Sequence, residues 1–116
     1  MKKLLILSLY LPIIVLGQDF TIYPYLQNAS PNSITIMWEY SNFDVSFIEW
    51  GNTNTLGNID STTFEITSSP SCLFTAKLDN LQSNTKYYYK VTTGNSVSAI
   101  FDFYTSSNSE YEKPLY

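Results

Sequence analysis

Histidine and arginine are both missing from this 116-residue chain, and only six lysines oppose ten carboxylates, which gives a net charge of −4. Nucleic acids and anionic membranes are bound chiefly through lysine and arginine, so both are poor candidates for partners. Without histidine, the sequence also lacks the usual base that activates a serine nucleophile. The composition therefore argues against nucleic-acid binding, membrane-surface binding and serine hydrolase chemistry.

Cysteine is almost as scarce, because Cys72 is the only one and no disulfide can form within the chain. We expect Cys72 to be a small buried residue in a strand, the usual place of an unreactive thiol. A reactive thiol is the alternative, but no His, Arg or nearby Lys is present to favour the thiolate. A domain of this size without a disulfide must rely on its hydrophobic core.

Long runs of strong helix formers are absent beyond residue 20, and charged residues make up only 14% of the chain. Aromatic residues reach 16%, and threonine, serine, asparagine and tyrosine supply much of the polarity. This mixture favours short strands joined by polar turns, and the length leaves room for one domain. An all-β fold is therefore predicted.

The first 17 residues have the features of a signal peptide. Two lysines precede an apolar run from Leu4 to Leu16, and Gly17 ends a suitable cleavage site. An uncleaved membrane anchor is the alternative, but the run of about 13 residues is shorter than the ~20 that a spanning helix needs. We therefore predict cleavage after Gly17 and a secreted, periplasmic or extracellular location without membrane contact. The remaining four lysines and ten carboxylates would carry a net charge of −6.

Seven segments of the remaining chain show the patterns of β-strands bounded by turn residues. In the second, Ile34, Ile36 and Trp38 share one face, and we predict that Trp38 is the aromatic centre of the core rather than a ligand-stacking ring. In the first, Pro24 indicates an edge strand or a switch between sheets. The segments span residues 19–28, 33–40, 45–51, 59–67, 72–78, 85–91 and 97–105.

The stretch 78–91 is the most informative part of the sequence. Leu78 and Leu81 flank the turn residues Asp79 and Asn80, and a tyrosine-rich strand follows. A Tyr that begins a strand after such a corner, with its hydroxyl bonded to upstream backbone, is a hallmark of immunoglobulin-like sandwiches, and Tyr87 is the candidate. Seven strands with this corner predict a two-sheet sandwich of the fibronectin type III or immunoglobulin class.

Three segments resemble the amino-terminal, fibronectin type III-like domain of purple acid phosphatases. The first runs from Pro-Tyr-Leu-Gln at residue 24 to Trp38, the second is Ile-Glu-Trp-Gly at 48–51, and the third is the stretch 78–91. The similarity extends over roughly residues 23–105. It predicts a signal peptide at 1–17, this domain at 18–105, and a linker at 106–116 toward a catalytic domain that this chain does not include.

The resemblance implies a metallophosphoesterase domain as partner, in cis or in trans. In the family that domain hydrolyses phosphate monoesters with a two-metal site, iron with iron, zinc or manganese, bound by Asp, Asn, His and Tyr. None of this ligand set transfers to the present sequence, which lacks histidine and has Phe74 where related domains often have His. We therefore assign no catalytic, cofactor or metal residue. The chain is interpreted as a fragment, a truncated product or a domain with its own use.

Carboxylates are spread over predicted turns and solvated strand faces, so no catalytic pair is expected. Calcium at Asp44 or Asp60 is conceivable, although no dense run of oxygen ligands supports it. The loop from Gly51 lacks the lysine and helix of a phosphate-binding loop. Asn28-Ala-Ser matches the glycosylation acceptor pattern.

Three hypotheses of function follow. The first is an accessory domain of a metallophosphatase, which predicts an exposed apolar patch near the carboxyl end. The second is an adhesion or polysaccharide-binding sandwich that uses the outward-facing residues Tyr88, Phe47 and Tyr104. The third, and the least supported by the residues, is a hydrolase in its own right.

Overall fold

The structure is a computed structural model that describes residues 20–107, and in this range it contains nine β-strands and no α-helix. None of these residues forms a helix long and apolar enough to cross a membrane. The predicted signal peptide and residues 108–116 of the predicted linker lie outside the described range. The strands are β1 (Phe20–Gln27), β2 (Ile34–Tyr40), β3 (Ser46–Gly51), β4 (Asn58–Ser61), β5 (Thr63–Ser68), β6 (Ser71–Leu78), β7 (Lys86–Thr93), β8 (Ser96–Val97) and β9 (Phe101–Tyr104).

The strands form two antiparallel sheets, which confirms the predicted all-β sandwich. One sheet has the order β1-β2-β6-β5, and the other has the order β4-β3-β7 with both β8 and β9 paired to β7. The first order is that of the four-stranded sheet of constant-type immunoglobulin sandwiches. Strand β4 adds an edge beside β3 in the second sheet. Pro24 lies in the edge strand β1, as predicted, and the register of β1 shifts between Ile22 and Tyr25.

Two of the predicted strands are each divided into two. The segment predicted at 59–67 breaks at Thr62, because β4 pairs with β3 in one sheet whereas β5 pairs with β6 in the other. The segment predicted at 97–105 breaks between Val97, which lies opposite Thr92, and Phe101, which lies opposite Tyr89. The five residues from Val97 to Phe101 thus lie opposite the four residues from Tyr89 to Thr92 on β7. The extra residue makes this a β-bulge. Ala99 therefore falls out of phase with Phe101 and is exposed.

Trp38 lies at the centre of the core, as the sequence predicts, and is fully buried. Its ring stacks against Phe74 with 6.1 Å between centroids, and its Nε1 donates a 2.9 Å hydrogen bond to Oγ1 of Thr93. This bond satisfies the polar atom of the buried indole. Cys72 is also buried, as predicted. The other buried apolar residues are Ile34, Ile36, Tyr40, Ile48, Phe74, Ala76, Leu78, Leu81, Tyr87, Tyr89, Val91 and Phe103.

The predicted tyrosine corner is present between β6 and β7. The hydroxyl of Tyr87 accepts a 2.8 Å hydrogen bond from the backbone N–H of Gln82. Asn80 and Asn84 adopt left-handed backbone conformations, with φ of 59° and 53°. Asparagine tolerates this conformation better than most residues, which explains why the chain can turn here.

The corner also holds the residue that follows β9. Thr105 Oγ1 donates to the carbonyl of Gln82 at 2.6 Å and accepts from the backbone N–H of Thr85 at 3.0 Å. The N–H of Asn84 donates to the carbonyl of Ser106 at 3.0 Å. The direction in which the chain leaves the sandwich is therefore fixed by backbone and side-chain bonds.

Candidate functional site

A cleft of about 460 Å³ opens along one lateral side of the sandwich, between β1 of one sheet and the β8–β9 segment of the other. We call it the lateral cleft. Its volume lies within the range of small-molecule pockets in proteins. It is lined by Phe20, Tyr23, Ser96, Val97, Ser98, Ala99 and Phe101.

The two serine hydroxyl groups of the lateral cleft already have partners in the protein. Ser96 Oγ and the hydroxyl of Tyr40 share a 2.8 Å hydrogen bond. Ser98 Oγ accepts from the N–H of Val91 at 3.0 Å and donates to the carbonyl of Ala99 at 2.8 Å. None of the lining residues is charged. The lateral cleft therefore suits an uncharged, largely apolar group rather than a phosphate ester or a metal ion.

The two aspartates considered as calcium ligands each accept a hydrogen bond from a neighbouring group. Asp44 Oδ1 accepts from the N–H of Val45 at 2.8 Å, and Asp60 Oδ2 accepts from Nε1 of Trp50 at 2.8 Å. Within residues 20–107, no three His, Cys, Asp or Glu side chains come close enough to hold a metal ion. Neither Asp44 nor Asp60 therefore belongs to a cluster of side chains that could bind calcium.

Glu39 has the most extensive hydrogen bonds of these carboxylates. It accepts from the hydroxyl of Thr21 at 2.7 Å and from that of Thr67 at 2.9 Å. These two bonds lower the pKa of Glu39, because they stabilise the charged form. They connect β1, β2 and β5 across the outer face of one sheet, so the arrangement is a structural clamp.

The structure brings together only two of the three outward aromatic residues proposed for polysaccharide binding. Lys86 Nζ lies 5.1 Å from the centre of the Tyr88 ring and 5.8 Å from that of Tyr104. A hydrogen bond with Tyr88, followed by the nearby charges, raises the pKa of Lys86. Phe47 pairs with Thr92, four residues along β7 from Tyr88, and so does not join this group.

Exposed apolar side chains occur on both lateral sides of the sandwich, including the side opposite the cleft. We call this the β4–β5 side, formed by β4, β5 and residues 43–45. It exposes Phe43, Val45, Ile59, Phe64 and Ile66, whereas Tyr104, at 67% exposure, is the large ring next to the carboxyl end. Val97 and Ile100 are also exposed in the segment before Tyr104, so apolar surface is present near the end at which the accessory-domain hypothesis expects it.

Residues 20–105, from the start of β1 to just past β9, match the family model described as the purple acid phosphatase N-terminal domain. The chain belongs to this family. The matched region corresponds to the sandwich alone, and the model describes the N-terminal domain of these phosphatases, not the catalytic one. No curated protein matches the chain.

Solved structures confirm the architecture of this purple acid phosphatase N-terminal domain. It resembles the sensor domain of the anti-sigma factor RsgI4 from Pseudobacteroides cellulosolvens in a shorter form (TM-score 0.60, 15% identity, 81% of this chain and 99% of that chain). The longer form gives a TM-score of 0.61 at 14% identity over 85% of this chain and 99% of that one. The solution structure of the sensor domain gives 0.53 at 15% identity over 78% and 76%. At this identity, the likeness shows the fold alone.

The lateral cleft of this phosphatase N-terminal domain was not predicted from the sequence. Its shape depends on the bulge at Ser98, where a side-chain oxygen replaces a backbone acceptor for Val91. A single extra residue leaves no distinct mark in an apolar–polar pattern, so nothing in residues 97–105 indicated it.

Proposed function

We propose that this domain is a non-catalytic accessory module of an exported metallophosphoesterase of the purple acid phosphatase type, whose catalytic domain hydrolyses phosphate monoesters. The observation that carries the proposal is the family match over residues 20–105. The carboxylates of residues 20–107, which form no cluster of three, and the uncharged lateral cleft support a role other than metal-assisted hydrolysis within the domain. The catalytic domain would act in cis, after the linker at 106–116, or in trans.

The fixed exit of the chain supports an orienting role. Thr105 and Ser106 are bonded to the corner, and Tyr104 exposes its ring beside them. A domain joined after this point would therefore start from a defined position rather than from a loose tether. We expect Tyr104 to lie at the contact between the two domains.

The proposal includes export. The segment 1–17 would direct the chain across a membrane and be removed after Gly17, so that Gln18 begins the mature protein. N-terminal sequencing or mass spectrometry of the protein recovered outside the cytoplasm tests this step. A product that retains Met1 to Gly17 would contradict it.

The accessory role is tested first by sequencing the reading frame beyond codon 116. If a catalytic domain follows, the longer protein is compared with a version that lacks residues 20–105. We expect the deletion to lower the melting temperature while kcat per metal-loaded site on p-nitrophenyl phosphate is retained. A matched pair of variants, Tyr104→Ala at the exit and Ile59→Ala on β4, tests the position of the contact, and only the first should lower the melting temperature of the longer protein.

The hydrolase hypothesis is tested on the 116-residue chain itself. With p-nitrophenyl phosphate and added iron, zinc or manganese, we expect no turnover above that of the metal in buffer. Turnover that disappears when the chain is unfolded would overturn the accessory role.

A second candidate, polysaccharide binding, is favoured by the Tyr88–Lys86–Tyr104 group on the outer sheet face. Two aromatic rings beside a cation offer stacking surfaces and a hydrogen-bond donor to a neutral or acidic glycan. Affinity electrophoresis in gels that contain single polysaccharides would show retardation that Tyr88→Ala and Tyr104→Ala abolish and Phe47→Ala preserves. Equal migration of all variants in every gel would remove this candidate.

A further inference from the structure

The sandwich has four strand edges, and three of them carry features that discourage pairing with another chain. Strand β1 contains Pro24 and two register shifts. Strand β4 is only four residues long and carries Asp60. The β8–β9 edge is interrupted by its bulge. Short strands, prolines, bulges and charges are the usual means of protecting a sheet edge.

Strand β5 has less protection than these three edges. It runs over six residues, Thr63–Ser68, contains no proline, carries one charge, that of Glu65, and has a single register shift at its end, between Ile66 and Ser68. It pairs with β6 on one side and with no described strand on the other. All six residues are exposed, unlike those of the neighbouring strand β6. The unpaired side therefore presents a row of backbone N–H and C=O groups to solvent.

The inner face of β5 is also left uncovered. Phe64 and Ile66 lie opposite the buried residues Phe74 and Cys72, which places them on the side that faces the core. They are nevertheless 51% and 64% exposed, because the second sheet does not extend over them. Phe43 covers Phe64 in part, with 4.7 Å between the two ring centroids. Apolar surface thus adjoins free hydrogen-bonding groups.

We propose that β5 pairs in antiparallel fashion with β5 of a second copy of this chain and joins two four-stranded sheets into one of eight strands. A row of strand N–H and C=O groups is satisfied best by another strand. A two-fold axis perpendicular to the sheet makes the contact self-complementary and closed. It also keeps Phe64 and Ile66 of both copies on the same face.

Charge and regularity select one register. Centring the two-fold on Glu65 would set two carboxylates directly opposite each other, which is destabilising. Centring it on Ile66 would carry the irregularity between Ile66 and Ser68 into the pairing. Centring it on Phe64 avoids both, because Glu65 then lies opposite Thr63 and the two Phe64 rings become cross-strand neighbours.

Disulfide trapping tests both the contact and the register. Residues directly opposite in an antiparallel pair have Cα atoms about 4.5–5.5 Å apart, within the range that a disulfide bridges. In a Cys72→Ala background, we expect Phe64→Cys to give roughly tenfold more covalent dimer on mild oxidation than Glu65→Cys or the exposed control Ile59→Cys. Preferential trapping through Glu65→Cys, or equal trapping at all three positions, would overturn the proposal.

Sedimentation equilibrium of the full chain provides a second measurement. A lysine on the inner face of an edge strand opposes pairing, and its aliphatic stem can still cover Phe74 in the monomer. We expect Phe64→Lys to weaken the dimer by at least about tenfold, while the matched control Ile59→Lys leaves it unchanged. Thermal unfolding of both variants verifies that they remain folded. The proposal would be contradicted if the wild-type chain stayed monomeric up to ~1 mM, the weak end of the affinity scale. It would also be contradicted if the dimer persisted in the Phe64→Lys variant.

Discussion

The corner between β6 and β7 and the β4–β5 side contain similar residues in very different surroundings. Strands β6 and β7 alternate buried and less buried positions along their lengths, whereas every residue of β4 and β5 is exposed. Both regions carry aromatic and β-branched residues in strand-like alternation. The difference shows that alternation specifies a face of a strand, while the opposite sheet decides whether that face is buried.

The largest expected effect contrasts the core with the exposed side. Trp38→Ala removes a fully buried indole and should lower the free energy of unfolding by about 3–5 kcal/mol. Phe64→Ala removes a half-exposed ring and should cost about 1 kcal/mol in the monomer. Urea unfolding at low protein concentration measures both. Equal losses would break the contrast between the two regions.

Next in size is the corner itself. Tyr87→Phe removes the hydroxyl that accepts from Gln82 N–H, and we expect the free energy of unfolding to fall by about 1–2 kcal/mol because this partly buried hydrogen bond is lost. Tyr104→Phe, on an exposed ring of β9, is the matched control and should change stability by less than about 0.5 kcal/mol. A Tyr87→Phe protein as stable as the control would mean that the corner does not depend on this bond.

Alkaline pH should lower the stability of the protein through a buried residue of the core. Burial, with a smaller part from the charge of Asp102, raises the pKa of Tyr89 to about 12 from the usual 10.0 of a tyrosine. The folded state thus favours the neutral phenol, and this contribution to stability is complete below pH 10 and is lost as the pH rises toward 12. Tyr89→Phe should flatten the fall in melting temperature over this interval, and Tyr104→Phe should not. An unaltered slope for Tyr89→Phe would contradict the assignment.

The smallest expected effect concerns the exposed side, where the Glu39 clamp is hydrogen-bonded to Thr67 of β5. Because the two hydroxyl bonds lower the pKa of Glu39, the clamp stabilises the folded state above the usual glutamate pKa of 4.5, and this stabilisation is lost as the pH falls through the lower pKa of the folded state. Glu39→Gln should reduce the acid sensitivity of the melting temperature, whereas Glu65→Gln on the same face should leave it in place. A response to acid that is identical in both variants would assign the clamp no role.

Local chemistry was sufficient to predict the corner and the core. Asp79 and Asn80 mark the turn, Tyr87 begins the next strand, and Trp38 lies in phase with two isoleucines, so short segments carry the information. The segment 59–67 was predicted as one strand, although Ile59 lies five positions before Phe64 and is therefore out of phase with Phe64 and Ile66, and the chain changes sheets at Thr62. Pairing partners distant in sequence decide that outcome, as they also decide the bulge that shapes the lateral cleft.

The change of sheets at Thr62 has a consequence for the thickness of the sandwich. Ser61 belongs to one sheet and Thr63 to the other, and two residues span at most about 7 Å of chain. Facing sheets ordinarily lie about 10 Å apart, so the layers must converge along this side. The lateral cleft lies on the opposite flank, where β1 of one sheet and β8 of the other are not joined by a direct connection.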